Sequence, residues 1–386
     1  QPGNSTQITV SLRDPSSGFA MRGVGVAAWI VPDDGRSCGD WYARIGRVGE
    51  LPDDVIPLLG FDILQATQDN RLALVDPLLN LASANIRSVT TFPAPFTAWS
   101  PAADGQTLGV IDGAAGTFSI VEPASGAVRT VTLPARARSV ESDADGYRVG
   151  LDNGMAVHVS PEGLGSAPQR IGTAPVTILP AVGSEALVAL SLDGHARLFN
   201  AAGTTVTLPG AVRGGVVSPI ANSLIALADS GRELFIADLD DTATPTRVPL
   251  DFAADRIAGS PAGRWLALAD KDGGTIAIFD TQTMRVRWTV NVPDPVVEMT
   301  FSDNFLYFMH RKQGGVTRVI FDPDGSAPGL AAIAAGLPSE EPQRAGPLPR
   351  LVRMPAGGVL VASSRERQAY IVSESGAQAA LARVPL

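Results

Sequence analysis

Cysteine occurs once, at Cys38, so the chain can form neither an internal disulfide nor a cysteine-based zinc site. Lysine occurs only at Lys271 and Lys312, and the formal net charge is −9; with no basic cluster to neutralise a row of phosphates, nucleic acid is not an expected partner. The longest uninterrupted apolar run, Gly23 to Pro32, is well short of the roughly 18–20 residues that a membrane-spanning helix needs, and no transmembrane segment is expected. The three histidines, His158, His195 and His310, lie far apart, and none has another His, Cys or paired carboxylate at a ligand spacing. Neither a metal site nor a haem attachment is read from them. No S-x-D-x-G-x-x-W box occurs, and no G-x-S-x-G elbow with a hydrolase domain behind it, so no catalytic residue is nominated.

What the chain has in quantity is glycine and proline, 40 and 30 of its 386 residues, together with 45% apolar and 18% charged residues. That composition folds, and it folds with many tight turns. Helical periodicity is scarce. Short runs rich in Val, Ile, Leu, Thr and Phe alternate with Gly, Asp, Asn, Ser and Pro, which reads as strands and hairpins.

Two stretches carry the same four-strand pattern: AWSPAADGQTLGVIDGAAGTFSIVEPASGAVRTVTLP, ending at Pro134, and AGSPAGRWLALADKDGGTIAIFDTQTMRVRWTVNVP, ending at Pro293. Three ladders of turn residues extend it. Ser100, Ser142, Leu179, Ser218, Ser260, Ser302 and Met354 follow the first strands, and five of them precede Pro. Asp69, Asp112, Asp152, Asp193, Asp229 and Asp270 mark the second-to-third turns, and Asp76, Glu122, Ser160, Asn200, Asp238, Asp280, Asp322 and Ser373 the third-to-fourth. Steps of about 40 residues with four strands per step predict an all-β fold, a β-propeller of eight four-stranded blades. We place the blades at 52–93, 94–134, 135–174, 175–208, 209–250, 251–293, 294–343 and 344–386. The alternative is seven blades plus an irregular N-terminal module. Residues 1–51 lack the repeat and read as an arm that supplies a ring-closing strand or contacts a partner. Burial is expected to grade from hub to rim. A long insertion, 323–349, contains a short helical candidate from Gly329 to Gly336.

The unit SPAGRWLALADKDGGTIAIFDTQTMRVRWTVNV resembles the YVTN and quinoprotein-like (PQQ-like) repeats of bacterial β-propellers. The resemblance implies a scaffold, a lipoprotein subunit of an envelope assembly, or the large subunit of a redox enzyme. Quinone-binding members repeat a Trp-containing docking motif in most blades, whereas here only Trp288 stands at that place.

The second-to-third turns and the blade connections should share one rim. That rim then carries Asp69, Asp112, Asp152, Asp193, Asp229 and Asp270 over six blades and, at the corresponding turns of the last two, His310-Arg311-Lys312 and Arg365-Glu366-Arg367. Aspartate favours such turns because its carboxylate bonds nearby backbone N–H groups, so turn chemistry alone accounts for the ladder. A polarised rim also suits a partner of matching charge, with His310, Arg311, Lys312, Arg365 and Arg367 as the sharper half. In the arm, Trp41 and Tyr42 beside Cys38 read as aromatic anchors for a partner. The expectation is a non-enzymatic interaction or scaffold subunit that binds protein partners and holds no cofactor. The alternative is a redox or hydrolytic propeller with a cofactor or divalent cation in its central channel. The chain opens at Gln1, as after removal of a secretory or lipoprotein leader. That fits an extracytoplasmic location (periplasm, outer-membrane-associated or secreted) and a lipid anchor at the processed N-terminus.

Overall fold

The structure, a computed structural model, describes residues 63–66, 70–75, 86–102, 105–113, 115–162, 167–180, 187–199, 203–240, 244–270, 273–302, 305–310, 316–320, 328–333, 351–354, 358–363, 368–375 and 378–385. Among these residues every regular element is a strand, and the strands form eight antiparallel sheets. The first holds β1 (Ile63–Ala66), β2 (Arg71–Val75) and β3 (Ile86–Thr91). The second holds β4 (Phe96–Pro101), β5 (Leu108–Asp112), β6 (Phe118–Glu122) and β7 (Ala127–Val131), and the third β8 (Ala137–Asp143), β9 (Gly146–Leu151), β10 (Met155–Val159) and β11 (Gln169–Arg170). Next come β12 (Val176–Pro180), β13 (Leu187–Ser191), β14 (His195–Phe199) and β15 (Thr205–Thr207), then β16 (Val212–Ser218), β17 (Ser223–Ala228), β18 (Glu233–Asp238) and β19 (Thr246–Pro249). The sixth sheet is β20 (Ala254–Gly259), β21 (Trp265–Asp270), β22 (Thr275–Asp280) and β23 (Arg285–Asn291). The last two are β24 (Val296–Phe301), β25 (Phe305–His310), β26 (Val316–Ile320) and β27 (Gly329–Ile333), and β28 (Leu351–Arg353), β29 (Val359–Ser363), β30 (Gln368–Ser375) and β31 (Gln378–Pro385). Each sheet pairs its strands in chain order, and each falls inside one of the eight stretches read from the repeat. The chain is an eight-bladed β-propeller.

In the first blade, β3 leads through Phe92 to Pro95 into β4, as a fourth strand leads into its neighbour elsewhere, so β1, β2 and β3 take the second, third and fourth places. The stretch preceding Ile63 lies outside the described residues. The arm, 1–51, does so entirely.

A blade's two faces are apolar because each is covered by the next blade, and the core is accordingly divided among the seams. Leu72, Phe92, Phe96, Leu108 and Val121 join the first two blades, for example, and Ile225, Leu227, Leu234, Leu266, Leu268 and Phe279 join the fifth and sixth. Burial does not grade steadily outward from the hub. It peaks in the second and third strands: β17 is buried at every residue, β20 is mostly half-buried and β7 is largely exposed. First strands surround the axis with one edge unpaired, whereas second and third strands have sheet partners on both sides.

That open inner edge is closed by side chains of adjacent blades. The Ser139 hydroxyl in β8 donates to the Val176 carbonyl of β12 (3.0 Å) and accepts from the Ile178 N–H (2.9 Å). Ser100 accepts from the Ser142 N–H (3.0 Å), and the Glu298 carboxylate accepts from the Leu351 N–H (2.9 Å). Buried backbone groups need such partners. First strands of five blades also carry one extra residue near their start, at Thr97, Arg138, Arg213, Asp255 and Val297, a bulge that bends the strand at the hub.

The segment expected as a short helix, Gly329 to Gly336, instead begins with strand β27, which completes the seventh blade by pairing with β26 from Val316↔Ile333 to Ile320↔Gly329. A short alanine-rich run is too brief to hold a helix in isolation, and an unpaired neighbouring strand offers its backbone a full set of partners.

Candidate functional site

The second-to-third turns and the blade connections share one rim, as the repeat implied. Their backbones are bonded to one another: the Gly113 N–H donates to Pro95, Asp152 to Arg136, Leu192 to Pro175 and Asp229 to Ala211. Close approach explains the turn glycines. Gly194 (φ 95°) and Gly231 (φ 72°) have left-handed backbones, and a Cβ on either would strike a carbonyl oxygen of the connection beneath, that of Gly210 or Ala254.

Most of the aspartate ladder serves the turns themselves. Asp112 is buried and accepts the Ala115 N–H at 3.1 Å. Asp193 receives the Thr173 N–H (2.6 Å) and hydroxyl (2.7 Å) from the connection, and the His195 N–H (3.3 Å) and ring (3.1 Å). Burial opposes its charge, but the hydrogen bonds from Thr173, Ser191 and His195 outweigh that and hold the carboxyl well below the usual range. Asp152 and Asp229 are exposed, and Asp270 is half-buried at the end of β21. Asp69 lies outside the described residues.

The connections and the strand ends beside them also bring arginines to this rim, which counting turns alone could not register. Arg136 donates to the Gly113 carbonyl, Arg170 to those of Asn153 and Gly172, and Arg213 to that of Asp229, with its guanidinium 3.8 Å from the Asp229 carboxylate. The described rim is thus mixed in charge. At its expected basic end, His310 ends β25 with Nε2 2.8 Å from the Thr317 hydroxyl. Burial pushes its imidazole below the ordinary range, against the Asp294 backbone and charge. Arg311, Lys312, Arg365 and Arg367 lie outside the described residues, as do Trp41 and Tyr42. His158 sits mid-strand 3.4 Å from Asp143, which also pairs with Arg148 at 2.7 Å; this is a structural cluster.

The sequence reading missed the charge on the first strands. Glu141 in β8, Arg256 in β20, Glu298 in β24 and Arg353 in β28 stand on innermost strands, whereas second strands such as β13 and β17 are free of charge. Glu141 is pushed up to about 7 by burial, partly offset by a hydrogen bond from Ser100 at 3.4 Å. The signal was present: these residues fall within four positions before the first-strand ladder, where the second, fourth and fifth blades carry no charge. Around the hub they could hold a polar ligand by charge; among the described residues no group of His, Cys, Asp and Glu is arranged to hold a metal ion.

No protein-family model matches the chain, and no curated protein does. Solved structures match its fold. The chain is similar to the dihydro-heme d1 dehydrogenase NirN in complex with DHE, with TM-score 0.62 and 15% identity over 87% of this chain and 75% of that one. It is similar to a chain of the mitotic checkpoint complex, with TM-score 0.50 and 15% identity over 75% and 89%. It is also similar to the Dos1 propeller, with TM-score 0.58 and 11% identity over 75% and 83%. At such identities the likeness is one of fold, and the fold is the β-propeller.

Proposed function

We propose that this chain is a non-enzymatic interaction propeller, a scaffold subunit of a bacterial envelope or secreted assembly, of the YVTN or quinoprotein-like repeat type. One observation carries the reading. Many polar groups of the described turns and several at the hub are engaged in holding turns and blades together, while exposed large apolar side chains such as Ile86, Val89, Val128, Val286 and Leu330 stand on outer strands. Loops and strand edges displayed on such a scaffold suit recognition of a partner. A solved neighbour's description as a mitotic checkpoint complex fits a propeller working within an assembly. Partner contact is assigned to the rim, at Arg311, Lys312, Arg365 and Arg367, and to Trp41 and Tyr42 of the arm. A location outside the cytoplasm is part of the proposal and is checked by fractionating the native host.

The test is a pull-down with the full chain from envelope extract. A defined partner is expected to be retained, and to be released at 0.5 M salt or by the combined R311Q, K312Q, R365Q and R367Q substitutions. Retention unchanged by both would end the charged-rim assignment. A second reading, a ligand in the central channel, is favoured by the charged first strands and by the neighbour solved with a bound DHE group. It predicts an absorbance band or a bound small molecule in the purified protein; protein absorbance alone, with no ligand released on denaturation, would remove it.

A further inference from the structure

The sixth blade carries an aromatic and cationic platform that reaches from its second strand to its outer strand. Trp265, at the start of β21, and Trp288, in β23, meet with ring centroids 5.1 Å apart beside the seam with the seventh blade. Each indole has a guanidinium over it: Arg264 at 4.6 Å and Arg287 at 5.5 Å from the ring centroids, within cation–π range. Arg287 is the extra residue of a bulge in β23, since Ile278 faces Trp288 while Phe279 faces Val286. Bulges re-aim side chains in this way.

The support beneath is stiff. The Trp265 N–H donates to the Ser260 hydroxyl (2.9 Å), and buried Thr281 donates its hydroxyl to the Gly263 (2.8 Å) and Arg264 (3.0 Å) carbonyls. The nearest carboxylate, Asp280, is buried and 3.9 Å from Arg264, while 43% of the Arg264 side chain is exposed. Its Nε is buried without a hydrogen-bond partner. Arg285 and Arg287 are exposed, and among the described residues neither has an ion-pair partner. Val286 adds an exposed apolar side chain.

A bulge and charges on an edge strand also discourage unwanted pairing, and Arg285 alone would need no other account. Two guanidinium groups within cation–π range of neighbouring indoles are different. Arg287 has no ion-pair partner among the described residues and Arg264 has only the long one to Asp280, so both have N–H groups to offer further carboxylates, and Trp with Arg is the composition of interface hot spots. We propose that this edge docks an acidic, extended segment of a protein partner. Two carboxylates engage Arg264 and Arg287, and an apolar side chain between them rests on the Trp265–Trp288 pair. An anionic bilayer fits less well, because a broad surface meets the repulsion of the whole chain at net charge −9, whereas a short segment feels chiefly the charges within a Debye length of about 8 Å. The proposal rests on the interaction reading but uses a surface separate from the rim.

The test uses the full chain and a fluorescein-labelled ten-residue peptide, with one Phe flanked by two Glu on each side in a Gly/Ser background, read by anisotropy at 50 mM and 500 mM salt. Binding is expected at low salt, at least about tenfold tighter than for the Gln counterpart, weakened at high salt and lost in R264Q/R287Q. The R264K/R287K variant should bind at an intermediate level, because it keeps the charge without the bidentate guanidinium fork. Unchanged melting temperatures exclude unfolding of the variants. No binding of the Glu peptide, equal binding of the Gln peptide, or binding unaffected by R264Q/R287Q would overturn the proposal. So would co-sedimentation with phosphatidylglycerol vesicles in its place. Any of these outcomes, with a native partner still retained by the full chain, would leave the interaction reading standing.

Discussion

Glu141 is the residue whose chemistry reaches furthest. Its folded carboxyl titrates near 7 because burial disfavours the charged form, with Ser100 partly offsetting the cost. A carboxyl raised on folding makes the folded state bind more protons than the unfolded one, so stability is greatest below the unfolded value of about 4.3 and declines as pH rises through 7. The expected loss between pH 5 and pH 8 is about 2–3 kcal/mol from this group, and E141Q should remove it. Urea titrations of both proteins at the two pH values decide the matter; parallel pH dependence would show that the carboxyl is not responsible. Asp193 has the opposite sign. Its hydrogen bonds depress the folded value, so its contribution is present at neutral pH and is lost as pH falls below about 4.

At the scale of the element, the turn glycines and the completing strand are the points of least tolerance. G231A adds a Cβ against the Ala254 carbonyl at φ 72° and is expected to cost about 2–4 kcal/mol, read as a lowered urea midpoint with unchanged slope. A cost below about 0.5 kcal/mol would mean that the turn and the connection separate freely. Strand β27 teaches the complementary lesson. Its residues, Gly-Leu-Ala-Ala-Ile, have no strong strand preference, and pairing with β26 decided their conformation.

At the scale of the whole molecule, the blades are tied through their first strands, so a local cut is felt globally. S139A removes both hydrogen bonds across the seam between β8 and β12 and should cost about 1–3 kcal/mol. Unfolding should remain one transition by circular dichroism and tryptophan fluorescence; separate transitions would show that neighbouring blades unfold independently. From the amino-acid order alone came the number of blades and the shared rim. Turn residues recur at fixed intervals because hairpins demand Gly, Asp and Pro wherever the chain reverses, and strands buried on both faces must be apolar throughout. The balance of charge on that rim, the closing of the inner edges by Ser139 and Glu298, the raised carboxyl of Glu141 and the paired indoles of Trp265 and Trp288 were not legible there. Each depends on groups that come from separate strands or from separate blades, and only the stacking of sheets around an axis sets which of them meet.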